Sequence, residues 1–221
     1  MEFTVSTSQT SSIEVFSNSS PNFRRNHKRK TKLCALCRRS LYDRLLLSSV
    51  FFIWFCVDIV HYGIGFGLNE LSGNIYTNGM LLGVADLISC VTISFIANRI
   101  GRKKSILITW GSATVGCLVY DFIRNYAVPS YLAVTVARFG SIGCFALIFL
   151  ITSETFPTEV RGIIFGISNA IARFGGLGAP LISSYIYHFM LILGSMSLLS
   201  FLAALILRET LGRKMEDSVE V

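Results

Sequence analysis

Asp58, His61, Asp86, Arg138 and Arg173 are ionisable side chains that interrupt otherwise apolar runs. Asp58 and His61 stand three residues apart, which puts them on one face of a helix. A carboxylate near an imidazole can move a proton, because an unperturbed histidine titrates near pH ~6.5. The same two groups could contact a solute, or form a structural pair satisfied inside a helical bundle. Asp86 either faces a cavity or pairs with a basic side chain of another helix. Arg138 stands in Val136-Ala137-Arg138-Phe139-Gly140, and Arg173 in Ile171-Ala172-Arg173-Phe174-Gly175. Near an interface either arginine could snorkel to water. Arg173 lies ten residues into its apolar run, where its expected partner is an anionic solute or a neutralising acid. Tyr62 and Phe174 could line a pocket for an organic molecule, although aromatic rings at membrane depth more often serve packing or the interface. This is binding chemistry. The aspartates are too dispersed for a paired-carboxylate hydrolase, and no nucleotide-binding loop, glycine-rich fingerprint or zinc spacing is present. No enzymatic activity, cofactor or metal is expected.

A second constellation surrounds Ala97-Asn98-Arg99-Ile100-Gly101-Arg102-Lys103-Lys104, a tight basic turn between two apolar runs. Gly101 lets the chain turn sharply without a Cβ clash. Arg99, Arg102, Lys103 and Lys104 belong on the cytoplasmic side of a membrane. The stretch Ser153–Gly162 carries Glu154, Glu159 and Arg161 and is expected at the same side. Its acids can pair with the basic turn, forming a charge network that breaks and reforms as helices rock.

The elements that position these groups must be membrane helices. The chain of 221 residues is 52% hydrophobic and 15% charged, against about 25% charge in soluble domains. The net charge of +7 could suggest nucleic acid, but lysine and arginine cluster in loops and tails between apolar runs, as topology determinants do. Six spans are expected, at about 45–66, 75–97, 105–122, 129–152, 163–184 and 186–207. They form a transmembrane domain over 41–208 between a basic, disordered cytoplasmic tail (1–40) and a short cytoplasmic tail (209–221). With six spans, and leaving aside Arg44 at the first boundary, sixteen positive residues fall on the cytoplasmic side and only Arg124 on the other. Both termini are therefore expected in the cytoplasm. Cys56, Cys90, Cys117 and Cys144 are expected as buried packing residues. Cys34 and Cys37 lack the second pair that a zinc site would need.

The sequence resembles the major facilitator superfamily and, within it, the organic cation, organic anion and carnitine transporters. The pieces that carry the resemblance are Tyr62-Gly63, Leu71-Ser72-Gly73-Asn74-Ile75-Tyr76, Asn98-Arg99-Ile100-Gly101-Arg102-Lys103, Glu154-Thr155-Phe156-Pro157-Thr158-Glu159-Val160-Arg161, Ala172-Arg173-Phe174-Gly175-Gly176 and Arg208-Glu209-Thr210-Leu211-Gly212. The resemblance implies an all-α membrane protein, a six-helix bundle equivalent to the carboxyl-terminal half of a twelve-helix carrier. It implies alternating access to a small organic ion across the plasma membrane, by uniport, symport or exchange. Cation-handling relatives tend to carry an acid at the place of Arg173 and anion-handling relatives an arginine, so an anionic or zwitterionic solute is favoured. Arg138 matches a basic family position and leans the same way. The chain is expected to be a fragment or a half-transporter that pairs with a second half or a second copy in the bilayer. The alternative is a non-transporting membrane protein that binds or regulates a partner, or a remnant of a transporter.

Overall fold

A computed structural model describes residues 41–67 and 74–212. The basic amino-terminal tail, Cys34, Cys37 and residues 213–221 lie outside the described residues. Among the described residues six helices follow one another: α1 (Leu41–Phe66), α2 (Ile75–Ile100), α3 (Arg102–Ile123), α4 (Ala127–Thr155), α5 (Thr158–Tyr185) and α6 (Phe189–Ala204). The first five are each long and apolar enough to cross a bilayer. The sixth has 16 helical residues, fewer than the expected 186–207. Its end tightens into i→i−3 bonds from Leu205, Ile206 and Leu207. At 1.5 Å per helical residue and about 2 Å per residue in the tightened turn, Phe189–Leu207 still reaches about 30 Å, a hydrocarbon thickness. The chain is a multi-pass, all-α membrane bundle.

Local chemistry explains the helix ends. Asn74 caps α2, its side chain accepting from the Tyr76 N–H at 2.9 Å, which satisfies a donor the first turn cannot use. Gly101 alone separates α2 from α3 at φ 106°, a conformation that favours glycine. Pro129 sits in the first turn of α4, where its missing N–H is no loss. Between α4 and α5 only Phe156 and Pro157 are non-helical. Glu154 therefore ends α4, and Glu159 stands in the first turn of α5, where an acid suits the helix dipole. Pro180 lies inside α5, and the helix continues past it to Tyr185.

Helix α1 packs against α4, α5 and α6; α3 packs against α4 and α6; α2 rests mainly on α4. Close approach of α3 and α4 depends on small residues. A Cβ on Gly116 would stand 2.5 Å from the Ala137 nitrogen, and one on Gly140 would stand 2.5 Å from the Thr109 oxygen. Absent side chains thus bring the two backbones together. Polar bonds join helices where lipid offers none: Trp54 donates to Thr152 Oγ1 at 3.1 Å, Ser89 to the Phe139 carbonyl at 2.6 Å, and Thr114 shares a hydrogen with Ser197 at 2.9 Å. Cys56, Cys117 and Cys144 are buried, but Cys90 is exposed, because α2 turns that face away from α4. Leu87, Val91, Phe95, Leu132 and Leu202 are also exposed, as expected of side chains that meet acyl chains rather than water. In contrast to the packing glycines, Gly79 and Gly83 of α2 and Gly162 and Gly166 of α5 have open space where a Cβ would lie.

Candidate functional site

Four of the intramembrane charges form two ion pairs at a common depth. Asp86 lies eleven residues from the start of α2, and Arg138 eleven from the start of α4. At 1.5 Å per residue that is about 16 Å from the end of the bundle opposite Leu41 and Leu207. Asp58 is eight residues from the end of α1 and Arg173 twelve from the end of α5, or about 12 and 18 Å from that same end. Two aspartates and two arginines balance, so the band carries no formal net charge.

The two pairs differ in kind. Arg138 grips Asp86 bidentately, Nε to Oδ1 and Nη2 to Oδ2, both at 2.8 Å. Its remaining Nη1 donates to the His61 carbonyl at 2.7 Å. One guanidinium thus ties α4 to α2 and α1, using the planar fork that makes arginine suited to carboxylates. Arg173 meets Asp58 at 3.6 Å with no hydrogen bond between them, and donates from Nη1 to the Tyr62 hydroxyl at 3.3 Å. The Arg173 side chain is 62% exposed and that of Asp58 only 1%. Asp58 Oδ2 has no hydrogen-bond partner.

Asp58 and His61 do not bond to each other. Asp58 turns to α5, whereas the His61 ring lies edge-on to Tyr62 at 5.3 Å and tilted over Phe145 at 5.7 Å. His61 Nδ1 lacks a partner. Tyr62 is partly exposed, and Phe174, next to Arg173 in the chain, is more exposed. The band runs Asp86, Arg138, the His61 carbonyl, Tyr62, Arg173 and Asp58, across α2, α4, α1 and α5. Its accessible end is Arg173, Tyr62 and Phe174. Glycines make this possible. Gly175 brings α5 against the Phe55 carbonyl of α1, and a Cβ on Gly176 would crowd Tyr62 Cδ2 at 3.3 Å and Asp58 Oδ2 at 3.6 Å.

The charge network at the end of the bundle that holds Leu41 and Leu207 is organised around Glu154 and Glu209. Arg102 Nε donates to Glu154 Oε2 at 3.2 Å, and the Thr210 hydroxyl donates to the same oxygen. Glu209 accepts the α3 N-terminal amides of Arg102 at 2.8 Å and Lys103 at 3.2 Å. Burial pushes the Glu209 carboxyl up, but the N–H groups of Leu211, Arg102, Lys103 and Thr210 together hold it below the ordinary value of 4.5. Lys103 Nζ donates to the Leu205 carbonyl at 2.8 Å, and Arg161 donates to the Phe156 carbonyl at 3.2 Å from Nη2. Arg99 and Lys104 are exposed. Glu159 is held at the foot of α5 by its place in the first turn. Tyr42 donates to the Ile206 carbonyl at 2.7 Å, and Arg208 lies over its ring at 4.0 Å, so the first and last helices are tied at this end. Sequence reasoning did not single out Glu209 as a site residue. The signal was there: an acid just beyond the last span, able to cap a nearby helix N-terminus. It also missed the opposite-end contacts of Asp121 with His188 at 2.9 Å and of Arg124 stacked on Tyr187 at 4.0 Å, which tie α3 to the start of α6.

Among the described residues no group of three or more His, Cys, Asp or Glu could hold a metal ion. The arrangement pairs charges between helices. The family described as the Major Facilitator Superfamily matches residues 17–180. The chain is 31% identical over 178 residues to the organic cation transporter protein of Drosophila melanogaster, covering 77% of this chain and 32% of that one. It is 29% identical over 177 residues to solute carrier family 22 member 16 of Homo sapiens, covering 78% and 31%. It is 30% identical over 204 residues to organic anion transporter 3 of Oryctolagus cuniculus, covering 87% and 36%. The chain spans about a third of the length of these relatives. A basic one-residue turn, a paired-charge band across four apolar helices and these matches have one common source: the chain belongs to the major facilitator superfamily and is homologous to its organic cation and organic anion transporters.

Proposed function

We propose that the chain forms one half of a carrier for a small organic ion, anionic or zwitterionic, working by alternating access against a second half. That half is another part of a longer protein, a separate chain or a second copy. The observation that carries this reading is the exposed Arg173, at membrane depth, beside Tyr62 and Phe174. A guanidinium in hydrocarbon is costly unless it meets an anion or water. The open small-residue faces of α2 and α5 at Gly79, Gly83, Gly162 and Gly166 suit close contact with a second bundle. The Arg102–Glu154–Thr210 and Glu209–α3 contacts form the latch at one end, and opening requires exchanging them. The clustering of positive residues at the end with the termini supports a cytoplasmic placement of both, with the plasma membrane as the site of action.

The test is uptake of labelled benzoate, carnitine and tetraethylammonium by cells expressing the chain and by proteoliposomes made from whatever complex it forms there. Arg173→Ala should reduce benzoate and carnitine uptake well below that of tetraethylammonium. Equal loss of all three would assign Arg173 a structural role. If no probe accumulates while the chain still copurifies with another membrane protein, the carrier reading gives way to a non-transporting, partner-binding protein.

A further inference from the structure

The geometry points to Asp58 as the group that takes up a proton when an organic carboxylate occupies Arg173, so that the solute binds together with one proton. This rests on the reading of Arg173 as a solute contact. The Arg138–Asp86 pair has nothing to release: both carboxylate oxygens and a third guanidinium donor are engaged, with exposures of 13% and 26%. The Asp58–Arg173 pair is the opposite. Its separation is 3.6 Å, its guanidinium is exposed, its carboxylate is buried, and Asp58 Oδ2 accepts no hydrogen bond. Arg173 can leave without breaking a hydrogen bond to Asp58; its one side-chain bond is to Tyr62.

Asp58, however, cannot follow. The elements packed on α1 are α4, α5 and α6. Helix α5 contributes Arg173. Helix α4 contributes Arg138, already committed to Asp86. Helix α6, Phe189–Ala204, contains no titratable residue. On α1 itself stand Tyr62, which receives Arg173, and His61, whose ring packs on Tyr62 and Phe145. Among the described residues Arg173 is therefore the cation that meets Asp58, and its other side-chain bond is to the neutral Tyr62 hydroxyl. When a solute carboxylate draws it away, a buried carboxylate is left without a counter-charge, an expensive state in an apolar bundle. A proton from water removes the cost. The Arg173 guanidinium changes partner from Asp58 to the solute anion, an O–H bond forms on Asp58, and solute plus proton add no net charge to the band. Release reverses both events. A fixed positive site would instead bind the anion with its charge uncompensated.

Two measurements on the full chain in lipid nanodiscs test this. The first needs no ligand. Arg173→Ala should show, at neutral pH, an infrared carboxylic-acid C=O band that is lacking in wild type and lost again in the Arg173→Ala/Asp58→Asn double variant. Arg173→Lys, which keeps the charge, should not show it. Absence of the band in folded Arg173→Ala means Asp58 stays ionised alone and overturns the inference. The second does not depend on that variant's folding. Benzoate is added to wild type in weakly buffered medium with a pH indicator, and protons taken up are divided by benzoate bound. The ratio should be about one at neutral pH and near zero in Asp58→Asn. Benzoate binding with no proton uptake overturns the inference and leaves the carrier reading standing; no benzoate binding at all overturns both.

Discussion

Replacing Arg138 by alanine isolates the tighter of the two mid-membrane pairs. The change deletes two 2.8 Å bonds to Asp86 and a 2.7 Å bond to the His61 carbonyl. It also strands Asp86, whose side chain is 26% exposed. Breaking a buried pair from one side costs about 3–5 kcal/mol. The partial exposure of Asp86 places the expectation at the lower end, about 3 kcal/mol, or roughly two decades in the folded-to-unfolded ratio. The double variant Arg138→Ala/Asp86→Ala has no stranded charge, so its cost should fall short of the sum of the single variants by about 2 kcal/mol. Arg138→Lys should lie between wild type and alanine, because an ammonium supplies a point charge but not the planar fork. The assay is denaturation in mixed micelles, titrating sodium dodecyl sulfate and following helical circular dichroism. Additivity of the two single changes within about 0.5 kcal/mol would refute the pairing as an energetic unit. Arg173→Ala in the same assay should cost less. Its guanidinium is exposed and makes no hydrogen bond to Asp58, and a proton on Asp58 would remove the stranded charge.

Four further outcomes are expected. Glu209→Ala should destabilise the bundle by about 1 kcal/mol through loss of the α3 cap. Because the Glu209 carboxyl is held below its ordinary value of 4.5, its contribution is complete above that value and is lost as pH falls through the lower folded value; the gap between wild type and variant should therefore close on acidification, and a gap that widens would contradict the cap. Gly116→Ala should destabilise by about 1–3 kcal/mol, since its Cβ would press on the Ala133 oxygen at 2.7 Å as well as the Ala137 nitrogen. Gly79→Ala, with open space around it, should change stability of the isolated chain by less than about 0.5 kcal/mol in the same titration. Replacing both Arg102 and Lys103 by alanine removes the Glu154 pair and the tie to Leu205, and should alter orientation in protease-protection assays or shift the opening equilibrium read by cysteine accessibility. Normal orientation with normal accessibility would leave the turn without either role.

The helices were legible because each is a long apolar run bounded by charge, glycine or proline, and hydrocarbon permits little else. Their ends were less so. The stretch from Ser153 to Gly162 reads as a polar loop, yet a helix continues through Thr155 and another begins at Thr158, since Glu154 and Glu159 are satisfied at helix ends rather than in a loop. Asp58 and His61 read as partners from their spacing, which places them on one face but says nothing of which neighbour each meets. Asp58 meets α5, and the His61 ring meets α4. Glu209 was visible only as part of a family-like segment. Its role needs the segment after α6 to stand beside the start of α3, where Glu209 meets the Arg102 amide 107 residues away in sequence.

The two Ala-Arg-Phe-Gly segments show where local sequence stops being informative. Ala137-Arg138-Phe139-Gly140 and Ala172-Arg173-Phe174-Gly175 have the same residues in the same order, and both glycines bring their helix against a neighbouring backbone. Yet Arg138 is locked and Arg173 is free to change partner. The difference lies in what flanks each helix. Helix α4 sits between α1 and α2, so Arg138 finds Asp86 on one side and the His61 carbonyl on the other. Helix α5 packs closely on α1 alone, so Arg173 finds one buried acid at 3.6 Å and is otherwise exposed. A positive residue in a cavity position does not by itself select anions, because each arginine here arrives with an aspartate. On the proposed carrier reading, selection depends on which pair can open, and the looser packing around Arg173 and Asp58 favours that pair. Exchanging the two environments tests this ordering. Asp86→Asn should free Arg138 and raise anion binding there, whereas Asp58→Asn should strengthen benzoate binding at Arg173 and weaken its pH dependence. If Asp58→Asn leaves both affinity and pH dependence unchanged, the loose pair has no part in selecting the solute.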